Sequence, residues 1–299
     1  MSESGSVAQS SIVSPDALPR RTFQILTICS GKGGVGKTMT TVNMSVLLGQ
    51  AGWQLTVLDG DLGLGNVKLM LPIQPTYHLG QWLTGKSNFE QLATATPFGF
   101  KIISAPPDEF QLNDLAEPQK KRLAELFDQI QQTSDLLIID NAAGISRNVV
   151  GLCRMAHRLL LVTTPDPTAM MDAYATLKTF SSFHNPPPVG IIVNQAKSID
   201  EGFDTYKRLN AASTKFVGID ASWLGFISGC RDLRMAIKTR TPPVVLSPHS
   251  PFSRTVRKTT AHVARWLLDE HMPTLVQDCG IMVNKALTEL GKMAPALEE

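Results

Sequence analysis

GKGGVGKT stands at residues 31–38, between an apolar run at Phe23–Ser30 and a stretch with helical spacing of apolar residues. The octapeptide fits the pattern G-x-x-x-x-G-K-[ST], whose backbone N–H groups surround a phosphate where a strand turns into a helix. Chance alone produces this pattern in roughly one chain in a hundred of this length. Because it lies between a predicted strand and a predicted helix (Thr38–Gly52), we predict a phosphate-binding loop.

Each position of this loop has a physical role. The glycines let the N–H groups curl inward without a Cβ in the way. Lys37 would place a positive charge beside the β- and γ-phosphates, and the Thr38 hydroxyl would ligate Mg²⁺. The sequence therefore predicts that ATP and Mg²⁺ are cofactors, and that the residues binding the nucleotide are Gly31, Lys32, Gly33, Gly34, Val35, Gly36, Lys37 and Thr38, together with the next position, Met39.

Aspartates follow two of the predicted strands. Gln54–Leu58 runs into Asp59 and, two residues on, Asp61, while Asp135–Ile139 runs into Asp140. Parallel strands present ligands at their carboxyl ends, and an aspartate there commonly anchors Mg²⁺ in phosphate-loop NTPases. A single such aspartate is more often a turn residue or a helix cap. Two of them behind a phosphate loop predict Asp140 at the metal site and Asp61 in catalysis.

Composition narrows the class of protein. The chain has 299 residues, of which 43% are hydrophobic and 18% charged, with a net charge of +2, so nothing requires nucleic acid as a partner. The four cysteines are scattered without a C-x-x-C pair, which indicates free thiols and argues against a carrier of metal clusters. Neither a signal peptide nor an apolar run long enough to span a bilayer is recognisable, so we expect a cytoplasmic protein.

Apolar runs alternate with helical patterns along the chain. This alternation predicts an α/β fold, a doubly wound and mostly parallel sheet with helices on both faces. We expect a disordered leader over 1–21, one domain over 22–272 and a separate tail over 273–299. The further predicted strands are Phe100–Ser104, Arg158–Thr163, Val189–Asn194 and Ser222–Ile227, and the further predicted helices are Glu117–Gln132, Pro167–Phe183 and Phe203–Thr214.

The tail carries an amphipathic helical pattern over Thr274–Leu290. Its apolar stripe fits packing on the domain, contact with a partner protein, or peripheral contact with the inner membrane. The polar face is not notably basic, which favours the first two.

The second loop lysine, Lys32, makes the motif resemble the MinD/ParA branch of phosphate-loop ATPases, from about Thr22 to His271. The resemblance implies slow ATP hydrolysis and an ATP-dependent homodimer in which Lys32 reaches the partner's phosphates. It also implies that Asp61 orients the attacking water, that Asp59 supports the Mg²⁺ and the region that responds to the nucleotide, and that Asn194 hydrogen-bonds the adenine. On this basis the catalytic residues are Lys32, Lys37 and Asp61, and the metal-site residues are Thr38, Asp59 and Asp140.

Within that branch, several stretches resemble the regulators of flagellar number, among them LDGDLGLGN at 58–66 and IDNAAGIS at 139–146. This implies control of the placement or number of flagella or of a similar polar apparatus. The implied partners are a regulatory protein such as an FlhF-like GTPase or a transcriptional regulator. The chain departs from the branch at Gly60, where Ala is usual, and at Asn141, where Thr or Ser is usual.

Two alternatives stay open at this point. A DNA-partitioning ATPase of the ParA type would need a basic face, for which the candidates are Lys207, Arg208, Lys215, Arg254, Arg257 and Lys258. We expect these to be solvated surface residues and DNA not to be a partner. The second alternative is a nucleotide-binding scaffold with little hydrolysis, because of Asn141.

Overall fold

In a computed structural model, the apolar runs of the chain form strands that alternate with helices. The structure describes residues 21–61, 67–106, 111–269 and 279–292. Within these ranges the strands are β1 (Gln24–Ser30), β2 (Leu55–Gly60), β3 (Thr94–Ala95), β4 (Lys101–Ile103), β5 (Leu136–Ala143), β6 (Arg158–Thr163), β7 (Val189–Asn194) and β8 (Ser222–Ile227). The α-helices there are α1 (Lys37–Gln50), α2 (Leu79–Leu83), α3 (Phe89–Leu92), α4 (Glu117–Thr133), α5 (Arg147–Arg154), α6 (Pro167–Ser181), α7 (Ile199–Val217), α8 (Leu233–Thr239), α9 (Pro243–Leu246), α10 (Pro251–Leu267) and α11 (Cys279–Lys292).

The strands make one sheet in the order β3-β4-β2-β5-β1-β6-β7-β8. Every pairing is parallel except that of β3 with β4 at one edge. The predicted doubly wound, mostly parallel α/β fold is therefore confirmed. β1 lies in the middle of the sheet, between β5 and β6, so the loop that follows it opens at the centre of the carboxyl edge.

Side chains alternate between the two faces of the sheet. On one face Leu26 and Ile28 pack in the same core as α1 and α10. On the other face Ile25 packs with α4 and α11, while Cys29 packs with α5, α6 and α7. Because both faces are covered, the central strands are buried along their whole length, which explains their continuous apolar sequences.

The sequence patterns predicted most strands of the sheet. The predicted strands at 158–163, 189–194 and 222–227 have the observed bounds, and the others begin or end within a few residues of the prediction. The two-residue strand β3 gave no periodic signal. The short helix α5 and the longer helix α10 were not predicted either.

Helix α11 lies within the segment predicted to carry an amphipathic helix, although residues 274–278 of that prediction fall outside the described ranges. Four of its apolar residues are buried in the core that α4 shares: Met282, Val283, Ala286 and Leu287. The Gly280 N–H donates to Asp128 Oδ1 of α4 at 2.9 Å. The described part of the apolar stripe therefore packs on the domain, which is the first of the three surroundings considered above.

Residues 1–20 of the expected leader also lie outside the described ranges. Arg21, its last residue, lies against the domain, where its guanidinium pairs with Asp135 at 3.3 Å and stacks over Trp53 at 4.5 Å. None of the helices in the described ranges is long and apolar enough to cross a bilayer.

The six candidate DNA-binding residues are divided between α7 and α10. These helices cover opposite faces of the sheet, so the six do not form one basic surface. On α7, Lys207 pairs with Asp204 at 2.8 Å and lies over the ring of Phe203. These six residues therefore do not supply the continuous positive surface that a DNA backbone requires.

Candidate functional site: a phosphate-binding cleft

The loop after β1 has a backbone that depends on glycine. Gly34 and Gly36 have φ angles of 80° and 90°, which L side chains rarely adopt. Gly36 is the residue before α1, and no side chain caps that helix end. The free N–H groups and the positive end of the helix dipole are therefore available to an anion.

Two loop glycines are also required by close neighbours. A Cβ on Gly31 would lie 2.1 Å from the backbone oxygen of Asp172 in α6. A Cβ on Gly36 would lie 2.2 Å from Nδ2 of Asn194, at the end of β7. The loop is thus held between α6 and β7 by contacts that leave no room for a side chain.

A cleft of about 1010 Å³ opens over this loop. Of the predicted site residues, Gly33, Gly34, Gly36, Lys37, Thr38, Met39, Asp61 and Asn194 line it. Met39 contributes no hydroxyl, and its side chain packs against the core beside α1. Gln195, Gly229, Cys230, Leu233 and Phe252 line it as well. The cleft thus combines the polar and cationic groups of the loop with apolar side chains, as a nucleotide requires for its phosphates and its base.

Asp140 is a buried residue of β5 that lies next to Thr38 and does not itself line the cleft. Its carboxylate accepts a hydrogen bond from Thr41 Oγ1 at 2.8 Å and another from the Thr38 hydroxyl. Burial raises the pKa of Asp140, and the bond from Thr38 and the charge of Lys37 act in the opposite direction. The structure thus places Lys37, Thr38 and Asp140 close together, and their role at a metal site stays a prediction.

Thr41 was missed by the sequence reasoning. It follows Thr38 by three residues, which places both hydroxyls on the same face of α1. That spacing was the available signal. A buried threonine whose hydroxyl can reach the carboxylate fixes where Asp140 points.

Asp59 lies opposite Asp140 in the register of β2 and β5 and is only 1% exposed. Burial, followed by the neighbouring charge of Asp140, raises the pKa of Asp59 to about 7. Its two oxygens accept from the N–H groups of Asp61 at 3.3 Å and of Val67 at 3.2 Å. Asp59 therefore holds both ends of the segment that connects β2 to the 3-10 turn at Val67–Met70.

Asn141 faces away from the cleft. Its Nδ2 donates to the carbonyl oxygen of Val149 at 2.9 Å and lies 3.5 Å from Sγ of Cys153, both in α5. Its Oδ1 accepts from the N–H of Ala142. The residue that departs from the family pattern therefore ties β5 to α5, and its amide is occupied by protein partners.

Asn194 supports the loop. Its Nδ2 donates to the carbonyl oxygen of Val35 at 2.7 Å, and its Oδ1 accepts from the N–H of Gln195 at 2.9 Å. Gln195 has a positive φ of 59° and donates in turn to Gly34. The predicted contact with adenine stays a prediction, and the structure gives Asn194 a second task in shaping the loop.

Lys32 does not line the cleft. Its ammonium group lies 3.4 Å from Asp166 Oδ1 and contacts the Thr168 hydroxyl, at the N-terminus of α6. The ammonium group of Lys32 is thus paired within its own chain, beside the cleft that Lys37 enters.

The cysteines form no metal site in the part of the chain that the structure describes. Cys29 and Cys153 are fully buried, and burial raises the pKa of Cys29 well above its usual range. Among the described residues, no group of three or more His, Cys, Asp or Glu side chains could hold a metal ion.

A strand, a glycine-rich turn and a helix around an anion-binding cleft define a phosphate-loop NTPase. The profile of the ParA family, described as "NUBPL iron-transfer P-loop NTPase", matches residues 21–264. The chain is 30% identical to the antiactivator FleN of Pseudomonas aeruginosa over 245 residues, covering 82% of this chain and 88% of FleN. It is 26% identical to the flagellum site-determining protein YlxH of Helicobacter pylori over 236 residues, or 78% of this chain and 79% of YlxH.

Solved structures show the same fold. The septum site-determining protein MinD of Pyrococcus horikoshii, complexed with Mg-ADP, superimposes with a TM-score of 0.66 at 23% identity, covering 82% of this chain and 97% of that one. The chain therefore belongs to the ParA/MinD family of phosphate-loop NTPases.

Proposed function

We propose that this chain is an ATP-dependent molecular switch that dimerises with ATP bound and hydrolyses ATP slowly. The observation that carries the proposal is the placement of the two loop lysines. Lys37 lines the cleft of its own chain. Lys32 does not line that cleft, and its ammonium group pairs with Asp166 beside it. A cation at that position is suited to a phosphate in a second copy, across a two-fold axis.

The Thr38 and Asp140 side chains fit a hydrated Mg²⁺ ion bound to a nucleotide. Thr38 offers a hydroxyl and Asp140 a carboxylate, and the two are already hydrogen-bonded to each other. Hard oxygen ligands of this kind suit Mg²⁺, which when bound neutralises charge on the β- and γ-phosphates. Thr38 would hold the ion directly, Asp140 would fix it through Thr38 or a water, and Lys37 would bind the phosphates.

Asp61 lies in the cleft wall at the end of the strand that also bears Asp59. We assign it the orientation of the attacking water, since a carboxylate at this edge can accept a hydrogen bond from that water. Asp59 would keep Asp61 in place through the hydrogen bond to its N–H. The reaction would be hydrolysis of ATP to ADP and phosphate.

The regulatory role is proposed from the relatives. FleN is named as an antiactivator and YlxH as a flagellum site-determining protein. We therefore assign this chain to the control of flagellar number or placement in the cytoplasm, acting on a transcriptional regulator or an FlhF-like GTPase. The buried face of α11 has no lipid-binding role in this assignment.

Molar mass by light scattering tests the switch. Wild type and Asp61→Ala would be measured with Mg-ATP and with Mg-ADP, beside Lys37→Ala as a variant that loses the nucleotide. We expect dimers with ATP alone, longer-lived dimers for Asp61→Ala, and monomers throughout for Lys32→Ala despite normal ATP binding. A mass that ignores the nucleotide in wild type would reduce the protein to a nucleotide-binding scaffold.

The flagellar assignment needs a separate test. Cells lacking the gene would be complemented with wild type or with Lys32→Ala, and flagella per cell would be counted by electron microscopy. We expect wild type alone to restore their normal number and position. An unchanged flagellar count after deletion would refute the flagellar role and leave the switch intact.

A further inference from the structure

Lys32, Asp166 and Thr168 form a contact within one chain that the proposed dimer would have to break. The Lys32 ammonium group lies 3.4 Å from Asp166 Oδ1 and touches the Thr168 hydroxyl. Its side chain is 44% exposed and that of Asp166 is 51% exposed, so solvent and a second molecule can reach both. We call this three-residue arrangement the cis contact.

The carboxylate of Asp166 is held in its charged form, which attracts a cation. Its Oδ1 accepts hydrogen bonds from the Thr168 hydroxyl at 2.5 Å and from the N–H of Ala169 at 3.0 Å, which makes it the cap of α6. These bonds, above all the one from Thr168, hold the pKa of Asp166 at about 2. Asp166 therefore stays ionised at any pH at which the protein works.

We propose that Asp166 and Thr168 are positioning residues that retain Lys32 in its own protomer and thereby oppose closure of the ATP-bound dimer. The proposal rests on the switch function above. A phosphate of the partner's nucleotide and the carboxylate of Asp166 compete for the same ammonium group. ATP, with its additional γ-phosphate, offers the stronger competitor, so the cis contact raises the threshold for closure and helps to separate ATP from ADP.

The size of the effect follows from exposure and symmetry. An exposed ion pair changes an equilibrium constant by roughly 1.4- to 5-fold at moderate ionic strength. A two-fold dimer breaks two cis contacts, so the factor is squared. Removing the carboxylate charge should tighten the monomer–dimer dissociation constant by about 2- to 25-fold. The gain should shrink as salt is added, because the charges are exposed.

Asp166→Asn is the informative variant, because asparagine caps a helix as well as aspartate does and only the charge is lost. Asp204→Asn is its matched control. Asp204 pairs with Lys207 at 2.8 Å on α7, is likewise exposed, and its substitution changes the net charge by the same amount. Thr168→Val serves as a second variant, since it removes one partner of Lys32 without changing any charge. Folding of each would be checked by thermal melting.

Dissociation constants would be measured by analytical ultracentrifugation with Mg-ATP in the Asp61→Ala background, at low and at high salt. We expect Asp166→Asn to dimerise more tightly than wild type and Asp204→Asn, with a smaller gain for Thr168→Val and the differences lost at high salt. With Mg-ADP, Asp166→Asn should shift furthest toward dimer. A gain in dimerisation at an unchanged melting temperature would come from the lost charge and not from structural damage.

The outcomes separate the two proposals. If the reference protein dimerises with ATP but Asp166→Asn is equal or weaker, Asp166 does not oppose closure and the inference fails while the switch stands. If Asp166→Asn is unstable, Thr168→Val decides, and an unchanged constant there overturns the inference. If no protein dimerises with ATP, the switch fails and the cis contact has nothing to oppose.

Discussion

Thr41 Oγ1 donates a hydrogen bond of 2.8 Å to Asp140 Oδ1, and both residues are buried. One turn of α1 therefore supplies two hydroxyls to the same carboxylate, from Thr38 and from Thr41. This couples the direction of Asp140 to the first turns of the helix that carries the phosphate loop.

Thr41→Val should remove one of these bonds. A hydrogen bond to a charged group contributes about 1.5–3 kcal/mol, so we expect a loss of unfolding free energy in that range and weaker binding of Mg-ADP. Urea denaturation and calorimetric titration would measure the two effects. Thr41→Ser keeps the hydroxyl and is the control. If Thr41→Val binds Mg-ADP as wild type does, Thr41 does not position Asp140.

Gly31→Ala should be far more damaging than Gly33→Ala. A Cβ at Gly31 meets the backbone oxygen of Asp172 at 2.1 Å, whereas at Gly33 it meets nothing within 4 Å. Because backbone atoms cannot turn aside, Gly31→Ala must displace α6 or the loop, at a cost of about 3 kcal/mol or more. Thermal melting of the nucleotide-free proteins would compare them. Equal melting temperatures would contradict the observed packing of α6 on the loop.

The stability of the nucleotide-free protein should depend on Asp59 and on pH. Its folded-state pKa of about 7 lies above the value near 4 of an unfolded aspartate. The folded state therefore binds the proton more tightly, and its stability falls as the pH rises from about 4 to about 7. Asp59→Asn should remove this slope and raise the unfolding free energy at pH 7.5 by a few kcal/mol. This is about the stability that the wild type loses between the unfolded-state and the folded-state pKa of Asp59.

Denaturation of wild type and Asp59→Asn at pH 5 and pH 7.5, without Mg²⁺ or nucleotide, would check this. Identical pH dependence in the two proteins would show that Asp59 is already ionised at pH 5. The hydrogen bonds from Asp61 and Val67 would then outweigh burial.

Leu287→Ala should show that α11 is part of the core. Leu287 is 3% exposed and packs with α4, whereas Ile281 on the same helix is 62% exposed. Truncating a buried leucine costs about 2–5 kcal/mol, while an exposed site changes stability by roughly 0.5 kcal/mol or less. Urea unfolding would measure both, with Ile281→Ala as the control. Equal stabilities would mean that α11 leaves the domain in solution.

Asn141→Ala should loosen α5. The amide donates to Val149 at 2.9 Å in a buried position, and its loss leaves that carbonyl oxygen without this donor. We expect a loss of about 1–3 kcal/mol in unfolding free energy and faster amide hydrogen exchange in α5. If exchange in α5 is unchanged, Asn141 does not anchor the helix.

Local sequence patterns were enough to predict those parts of the candidate site that follow from short motifs at strand ends. The loop at 31–38 and Asp140 at a strand end follow from short motifs and from the rule that parallel strands bring their carboxyl ends together. The direction of the Asn141 side chain could not be predicted this way. It depends on Val149 and Cys153, whose placement requires the packed structure of α5.

The surroundings of Lys32 show the same limit. Asp166 is 134 residues away in sequence, and its aspartate-proline dipeptide indicates only the start of a helix. That this helix end reaches the loop is a consequence of β6 lying next to β1. In the tail, periodicity predicted the helix. Whether its apolar stripe packs on the domain, on a partner or on a membrane depends on the neighbouring surface of α4, which the periodicity does not show.

The close contacts of the loop glycines have an evolutionary consequence. The backbone of α6 leaves no room for a Cβ at Gly31, and the φ of 90° at Gly36 disfavours any L side chain, and neither restriction involves the nucleotide. A descendant that ceased to bind ATP would be free to lose Lys37 and Thr38 but would still be held to both glycines by its fold. Glycines retained in a divergent relative are therefore a record of ancestry, and only the lysine and the threonine report continued use of the nucleotide.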